Sequence, residues 1–311
     1  MDAIDLTCAD FNRALALLRG LGARLDVIFP ADSPHMAILS HDGTIVRLRA
    51  GADVAEPAAR LPDFQAAFVV ARAGDAAEGR AGMRYRDLIP SRLGGRYIAS
   101  HIAVEEGPVA DWVHYHRIAF QLICVRRGWV RVAYEDQGEP FVMTAGDMVL
   151  QPPGIRHRVL ESGEGLEVVE IGCPALHETF AEHDMALPNG RGDPQRLWSG
   201  QRFLRHRAAA APWAHWNGGE AQETGLAVAM DGLGEARVVR VPQGAGLDVP
   251  AHRGELVFGF VLEGSARLAC AGEHALGPAD AFVVPPEEAW SLRDASPDFR
   301  LLHVATGCIP S

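Results

Sequence analysis

The sequence predicts a mainly β protein: two tandem jelly-roll barrels preceded by a small α+β module. Three observations predict it. Short alternating apolar runs are punctuated by turns in a 311-residue chain holding Gly 33 and Pro 20, a pattern of strands and tight connections. The second half repeats the first at a spacing of roughly 130 residues: GDMVLQPPGIRH (146–157) aligns with ADAFVVPPEEAW (279–290), and FQLICVRRGWVRV (120–132) with VFGFVLEGSARL (257–268). Only one clear helical pattern stands near the start.

That pattern is TCADFNRALALLRG (7–20). Thr7 or Asp10 can cap it, Phe11, Leu15 and Leu18 recur at helical spacing, and Gly20 can supply the left-handed stop. ARLDVIF, HMAILS and TIVRLR follow as three short strands separated by PADSP and HDG turns. One helix and three strands resemble a single βαβββ half-unit of the vicinal-oxygen-chelate fold, with Arg47 where metal-binding members place a Glu. The resemblance implies a metal-free structural or dimerising module over residues 1–52, because a half-unit leaves a sheet edge needing a partner.

Residues 53–96 read as a connecting segment with a short helix around LPDFQAAFVVARAG. Over 97–186, eight strand-like runs (RYIASHIAV, WVHYH, FQLICV, GWVRVAYE, PFVMT, DMVLQ, HRVLE, GLEVVEIG) lie between turns such as EDQGE, TAGD and PPG. Eight strands at such spacing close into a barrel, which removes exposed edges. A polar linker, 187–215, contains LPNGRGDPQ, and 216–311 returns to strands in LAVAM, ARVVRV, LVFGFVLEG, ARLACAG, DAFVVPP and FRLLHVA.

Composition narrows the function. Acidic residues outnumber basic ones, 40 to 29, for a net charge of −11. With no basic stripe, neither nucleic acid nor an anionic membrane is an expected partner. Cys8, Cys124, Cys173, Cys270 and Cys308 are scattered without CxxC spacing and read as reduced thiols. The first residues, MDAIDLTCADFNRAL, lack the basic start and apolar run of a signal peptide, and no apolar run approaches the ~20 residues of a membrane span. A cytoplasmic location is expected, with a small molecule as ligand and, from the half-unit, a homodimer.

HYHRIAFQ (114–121) and PPGIRH (152–157) carry the chemistry. Residues i and i+2 of a strand share a face, so His114 and His116 point the same way. With His157 after a PPG turn and Gln121 opening the next run, four positions can converge inside a barrel and leave open coordination sites. Here the chain resembles the cupin superfamily. Gly107, His114, His116, Gln121 and Gly128 follow its first motif, with one extra residue after the first Gly and Gln replacing Glu. Gly146, Pro152, Gly154 and His157 follow its second, with Glu161 replacing Asn. The resemblance covers about residues 75–311 and implies a bicupin with one metal site. In the second copy Pro250, His252, Val257 and Trp290 stand at the four ligand positions, and one ligand of four cannot hold an ion.

An amide ligand leaves the full charge of a divalent ion, which strengthens its Lewis acidity and disfavours oxidation. This favours Zn or Ni, then Fe or Mn, and a metal-dependent enzyme acting on a small carbonyl or carboxylate compound as an isomerase, lyase or cyclase. A bicupin dioxygenase with non-haem iron, or a non-catalytic binding cupin, is the alternative. Arg96, His101 and Arg156 are the candidate catalytic residues; Arg156 can grip a substrate carboxylate. Gln151 is expected to face inward, Tyr115 and Arg117 outward, and Glu161 and Glu170 are candidate bases.

Overall fold

The computed structural model describes residues 3–30, 32–74, 76–78, 83–109 and 111–309. All eight runs expected between 97 and 186 form strands, from Ile98–Val104 to Leu166–Cys173. They divide between two sheets and pair antiparallel within each. One sheet contains, in order, Leu204–His206, Met148–Gln151, Phe120–Arg127, Leu166–Cys173, Ile98–Val104, Arg84–Asp87 and Ala77–Glu78. The other carries His114–His116, His157–Ser162, Trp129–Tyr134 and Phe141–Thr144. The second barrel repeats the plan, with Leu256–Glu263 flanked by Arg300–Thr306 and Ala281–Val284.

Strand alternation explains where the cores sit. Phe120, Leu122 and Cys124 point out of the first barrel and pack with Phe258 and Phe260 of the second in one buried cluster. The intervening residues, Gln121 and Ile123, line a cavity inside the first barrel. Thus the largest apolar core lies between the barrels, and the sheets that meet there are buried on both faces. Arg96 fastens the same interface: its Nε and Nη2 donate to the two Glu255 carboxylate oxygens at 2.9 and 3.0 Å. Tyr97 also donates to Glu255, at 2.8 Å.

Both segments read as connections, 53–96 and 187–215, contain strands, among them Arg84–Asp87 of the first barrel's sheet. The expected helix around 61–74 is absent; Val69–Ala71 runs antiparallel to Ala281–Val284 and extends the second barrel's sheet. Its β-branched Val69 and Val70 favour the pleated surface. Leu204–His206, inside the expected linker, joins Met148–Gln151 of the first barrel. Met148–Gln151 and Ala281–Val284 are equivalent strands of the repeat, so each barrel takes an edge strand from the segment that precedes the other. LAVAM supplies the opposite correction: Leu226–Ala229 is a helical turn, with Gly225 at φ 77° before it and Thr224 Oγ1 accepting from Leu226 N–H. Four residues are too few for their apolar character to show a period.

The N-terminal module is β-α-β-β-β. Ala3–Thr7, which the sequence did not suggest, lies parallel to Thr44–Arg49. Asp10 caps helix Phe11–Gly20 by accepting from Arg13 N–H. Gly20 stays helical; the left-handed residue is Gly22 at φ 93°, whose N–H reaches Arg19 O while that of Ala23 reaches Leu18 O, a Schellman closure. One edge of the module is met within the chain: Arg24–Phe29 pairs with Thr179–Ala181, which also borders His114–His116, while Ala3–Thr7 forms the outer edge of the sheet. Among the described residues, no helix is long and apolar enough to cross a membrane.

Candidate metal centre

His114 and His116 occupy one face of a three-residue strand and are 1% and 6% exposed, while Tyr115 between them turns outward. Tyr115 stacks on Phe180 with centroids 5.0 Å apart, and Arg117 bonds Glu178 at the surface. His157 lies directly across the sheet from His114. One ring nitrogen from each of the three histidines lies within 4.8 Å of the others.

Their tautomers follow from the groups behind them. His114 Nδ1 lies 2.8 Å from Trp112 O, and His157 Nδ1 3.1 Å from Ile155 O. A carbonyl only accepts, so both Nδ1 atoms carry the proton and Nε2 presents the lone pair. His116 Nδ1 meets Thr179 Oγ1 at 3.0 Å, and Asp111 places a carboxylate 3.5 Å from His114 Nδ1. Such partners fix ring orientation and raise ligand basicity.

Gln121 lines the same cavity as the three histidines. Its Nε2 donates to Glu170 Oε1 at 2.6 Å, whereas its Oε1 is buried without a hydrogen-bond partner among the described residues. An ionised carboxylate accepts only, so Glu170 fixes the amide with nitrogen outward and oxygen available. Three imidazoles and one orphaned amide oxygen suit a divalent first-row ion. The structure corrects the charge count, however. The carboxylate missing at position 121 stands one hydrogen bond behind it, so the site is not free of negative charge. It also accounts for the amide: a carboxyl group at 121 would meet Glu170, and two such groups in contact cannot both ionise.

The site opens on a cavity of about 90 Å³, space for a few waters or one small organic molecule. Its polar lining is the three histidines, Gln121, Gln151, Tyr134, Glu170 and Arg158; its apolar lining includes Met83, Ile102, Val104, Val130, Val132 and Met143. Gln151 faces inward as expected, opposite Gln121 in the strand register. Its Nε2 donates to Tyr134 hydroxyl at 2.7 Å, and its Oε1 is buried without a partner. Tyr134 stacks on His157, centroids 5.6 Å apart. Burial holds its phenol well above the usual range.

The other candidates are engaged elsewhere. Arg96 belongs to the barrel interface. His101 bonds Glu167 at 2.8 Å, with Arg86 on its other ring nitrogen, and burial lowers its pKa. Arg156 donates to Glu182 and lies 4.3 Å over the Tyr115 ring, on the outer face. None of the three lines the cavity. Glu161 pairs with Arg131 near the surface, while Glu170 is a cavity residue. Sequence reasoning passed over Tyr134, although it shares the alternation of Val130 and Val132, and His177, a buried ring 5.3 Å from His116. No sequence period marks His177, which comes from a loop.

In the second barrel the equivalent volume is filled. Val257 and Val284 pair where Gln121 and Gln151 do. Gly259 leaves room for Phe282, whose ring a Cβ there would meet at 2.2 Å. Trp290 packs on Phe282 and on His303, the latter 2% exposed.

No protein-family model matches the chain, and no curated protein matches it in sequence. Solved structures do match its shape. Oxalate decarboxylase from Bacillus subtilis at pH 4.6 superposes with a TM-score of 0.55 at 13% identity, covering 81% of this chain and 78% of that one. The Lactobacillus farciminis oxalate decarboxylase formate complex gives 0.54 at 14%, covering 83% and 89%. A B. subtilis oxalate decarboxylase studied for its Mn(II) centres gives 0.55 at 12%, covering 85% and 81%. The chain has the bicupin fold. Its first barrel carries a buried three-histidine group that could hold a metal ion.

Proposed function

We propose that the chain is a metal-dependent cupin enzyme that uses one divalent ion, held by His114, His116, His157 and Gln121, on a small carbonyl or carboxylate compound. The reaction class is isomerase, lyase or cyclase. The observation that carries this reading is the buried amide oxygen of Gln121, left unpartnered beside three imidazoles in a cavity inside the first barrel. A divalent ion bound there supplies Lewis acidity towards a substrate oxygen. Glu170 orients the amide, Asp111 and the Trp112 and Ile155 carbonyls hold the rings, and the apolar wall excludes water. The preferred substrate has an apolar body.

Zn or Ni fits the imidazole-rich set, and the Mn(II) centres of the B. subtilis oxalate decarboxylase support Mn. Glu170 also favours a second reading, a non-haem iron dioxygenase, because a nearby negative charge stabilises a more oxidised metal. Elemental analysis of protein purified without added metal separates them. Zn, Ni or Mn at about one ion per chain supports the first and Fe the second. Absence of metal uptake by the wild type, or equal uptake by His116→Ala, overturns both.

A further inference from the structure

We propose that the cavity selects a short branched 2-hydroxy acid, reading its hydroxyl with Gln151 and Tyr134. This rests on the function proposed above for the anchoring of the carboxylate at the metal centre.

The argument begins with the strand register. Gln121 and Gln151 are directly opposed, so their side chains rise side by side from one sheet face. Both Nε2 groups are spent within the protein, on Glu170 and on Tyr134 respectively. Both Oε1 atoms are buried and unpartnered among the described residues. If Gln121 turns its oxygen to the ion, Gln151 Oε1 still needs a donor. Tyr134, having accepted from Gln151, retains its own O–H to give. The pair therefore presents one acceptor and one donor next to the metal centre, complementary to a hydroxyl group, which both donates and accepts. A ligand with only a carboxylate would set a second anionic oxygen against the Gln151 carbonyl.

The remaining surface fixes the rest of the ligand. Val130, Val132, Met143 and Ile102 offer apolar contact to a short branched body, in a small cavity that also opens to solvent. In the second barrel both glutamines become valines, and no such pair exists.

The test compares 2-hydroxy-3-methylbutanoate with 3-methylbutanoate, which lacks only the hydroxyl. Binding to the full-length protein is measured by calorimetry, both Mn(II)-loaded and chelator-treated. The hydroxy acid is expected to bind roughly ten- to a hundred-fold more tightly, because the analogue leaves the polar pair unsatisfied. Gln151→Leu should cut that preference to within about threefold; the near-isosteric Tyr134→Phe should reduce it if Gln151→Leu does not fold. Equal binding of both acids by the wild type, an unchanged preference in both variants, or no binding of either acid overturns the proposal. A hydroxyl preference that persists equally without metal supports the Gln151–Tyr134 pair and sinks the metal-based function, so the two failures are distinct.

Discussion

Replacing Glu170 by Gln tests whether an amide oriented by a carboxylate serves as a metal ligand. The wild-type carboxylate accepts from Gln121 at 2.6 Å inside the barrel wall. Glu170→Gln keeps size and shape but removes the charge and lets either end of the new amide face Gln121. Hydrogen bonds to charged groups contribute about 1.5–3 kcal/mol. Loss of a partner behind a metal ligand costs about 10–100-fold in affinity, which converts to about 1.4–2.7 kcal/mol. The two figures agree, so metal affinity should fall by one to two orders of magnitude. Competition titration with a chromophoric chelator reads it directly. The exchange variant, Gln121→Glu with Glu170→Gln, restores one carboxylate and one amide and should recover most of the loss. Affinity unchanged in Glu170→Gln would refute the reasoning, because Glu170 would then neither orient the amide nor contribute charge.

Gln121→Glu alone places two carboxyl groups in contact, one of which keeps its proton. Metal binding at position 121 competes with the shared proton, so affinity should rise with pH through its titration range, in contrast to a flatter wild-type profile. Arg96→Met strands Glu255, which is buried with it at 5% and 11% side-chain exposure; a loss of about 3–5 kcal/mol in denaturant unfolding is expected, largely recovered by adding Glu255→Leu. His303 is held neutral by burial, its pKa lowered to about 3. A depressed histidine pKa means that the unfolded chain takes up the proton first, so stability is full above about pH 6.5 and declines as pH falls towards 3. The decline amounts to about 4–5 kcal/mol, and His303→Phe should shift the acid unfolding midpoint downwards. Chelation should lower the melting temperature of metal-loaded protein, corresponding to about 2.7 kcal/mol at a free metal concentration a hundred times Kd; His116→Ala should show no such shift.

The barrels were legible because strand alternation and PPG-type turns are local signals, and all eight runs of the first barrel form strands. His114, His116 and His157 were legible because spacing along one strand and one turn sets their faces. What lay beyond reach depended on partners distant in sequence. Val69–Ala71 becomes a strand only because Ala281–Val284 offers an open edge. Ala3–Thr7 is exposed throughout and carries no burial pattern to read. Arg96 and His101 looked like cavity residues until the interface claimed one and Glu167 the other. Glu170 could be named as a candidate base, but its hold on Gln121 spans two strands, and it alters what the amide means for the site's charge.

The traded edge strands make the two halves mutually obligate. A ribosome releasing the first barrel has already synthesised the arm that the second will require, while the first waits for residues 204–206 to emerge before its own sheet is sealed. Cutting the chain in the polar stretch after residue 187 would leave both fragments with a raw strand flank, prone to self-association. Mixed together, the fragments should rescue one another. Severed function in one half would then report on the other, although only the first surrounds the three histidines.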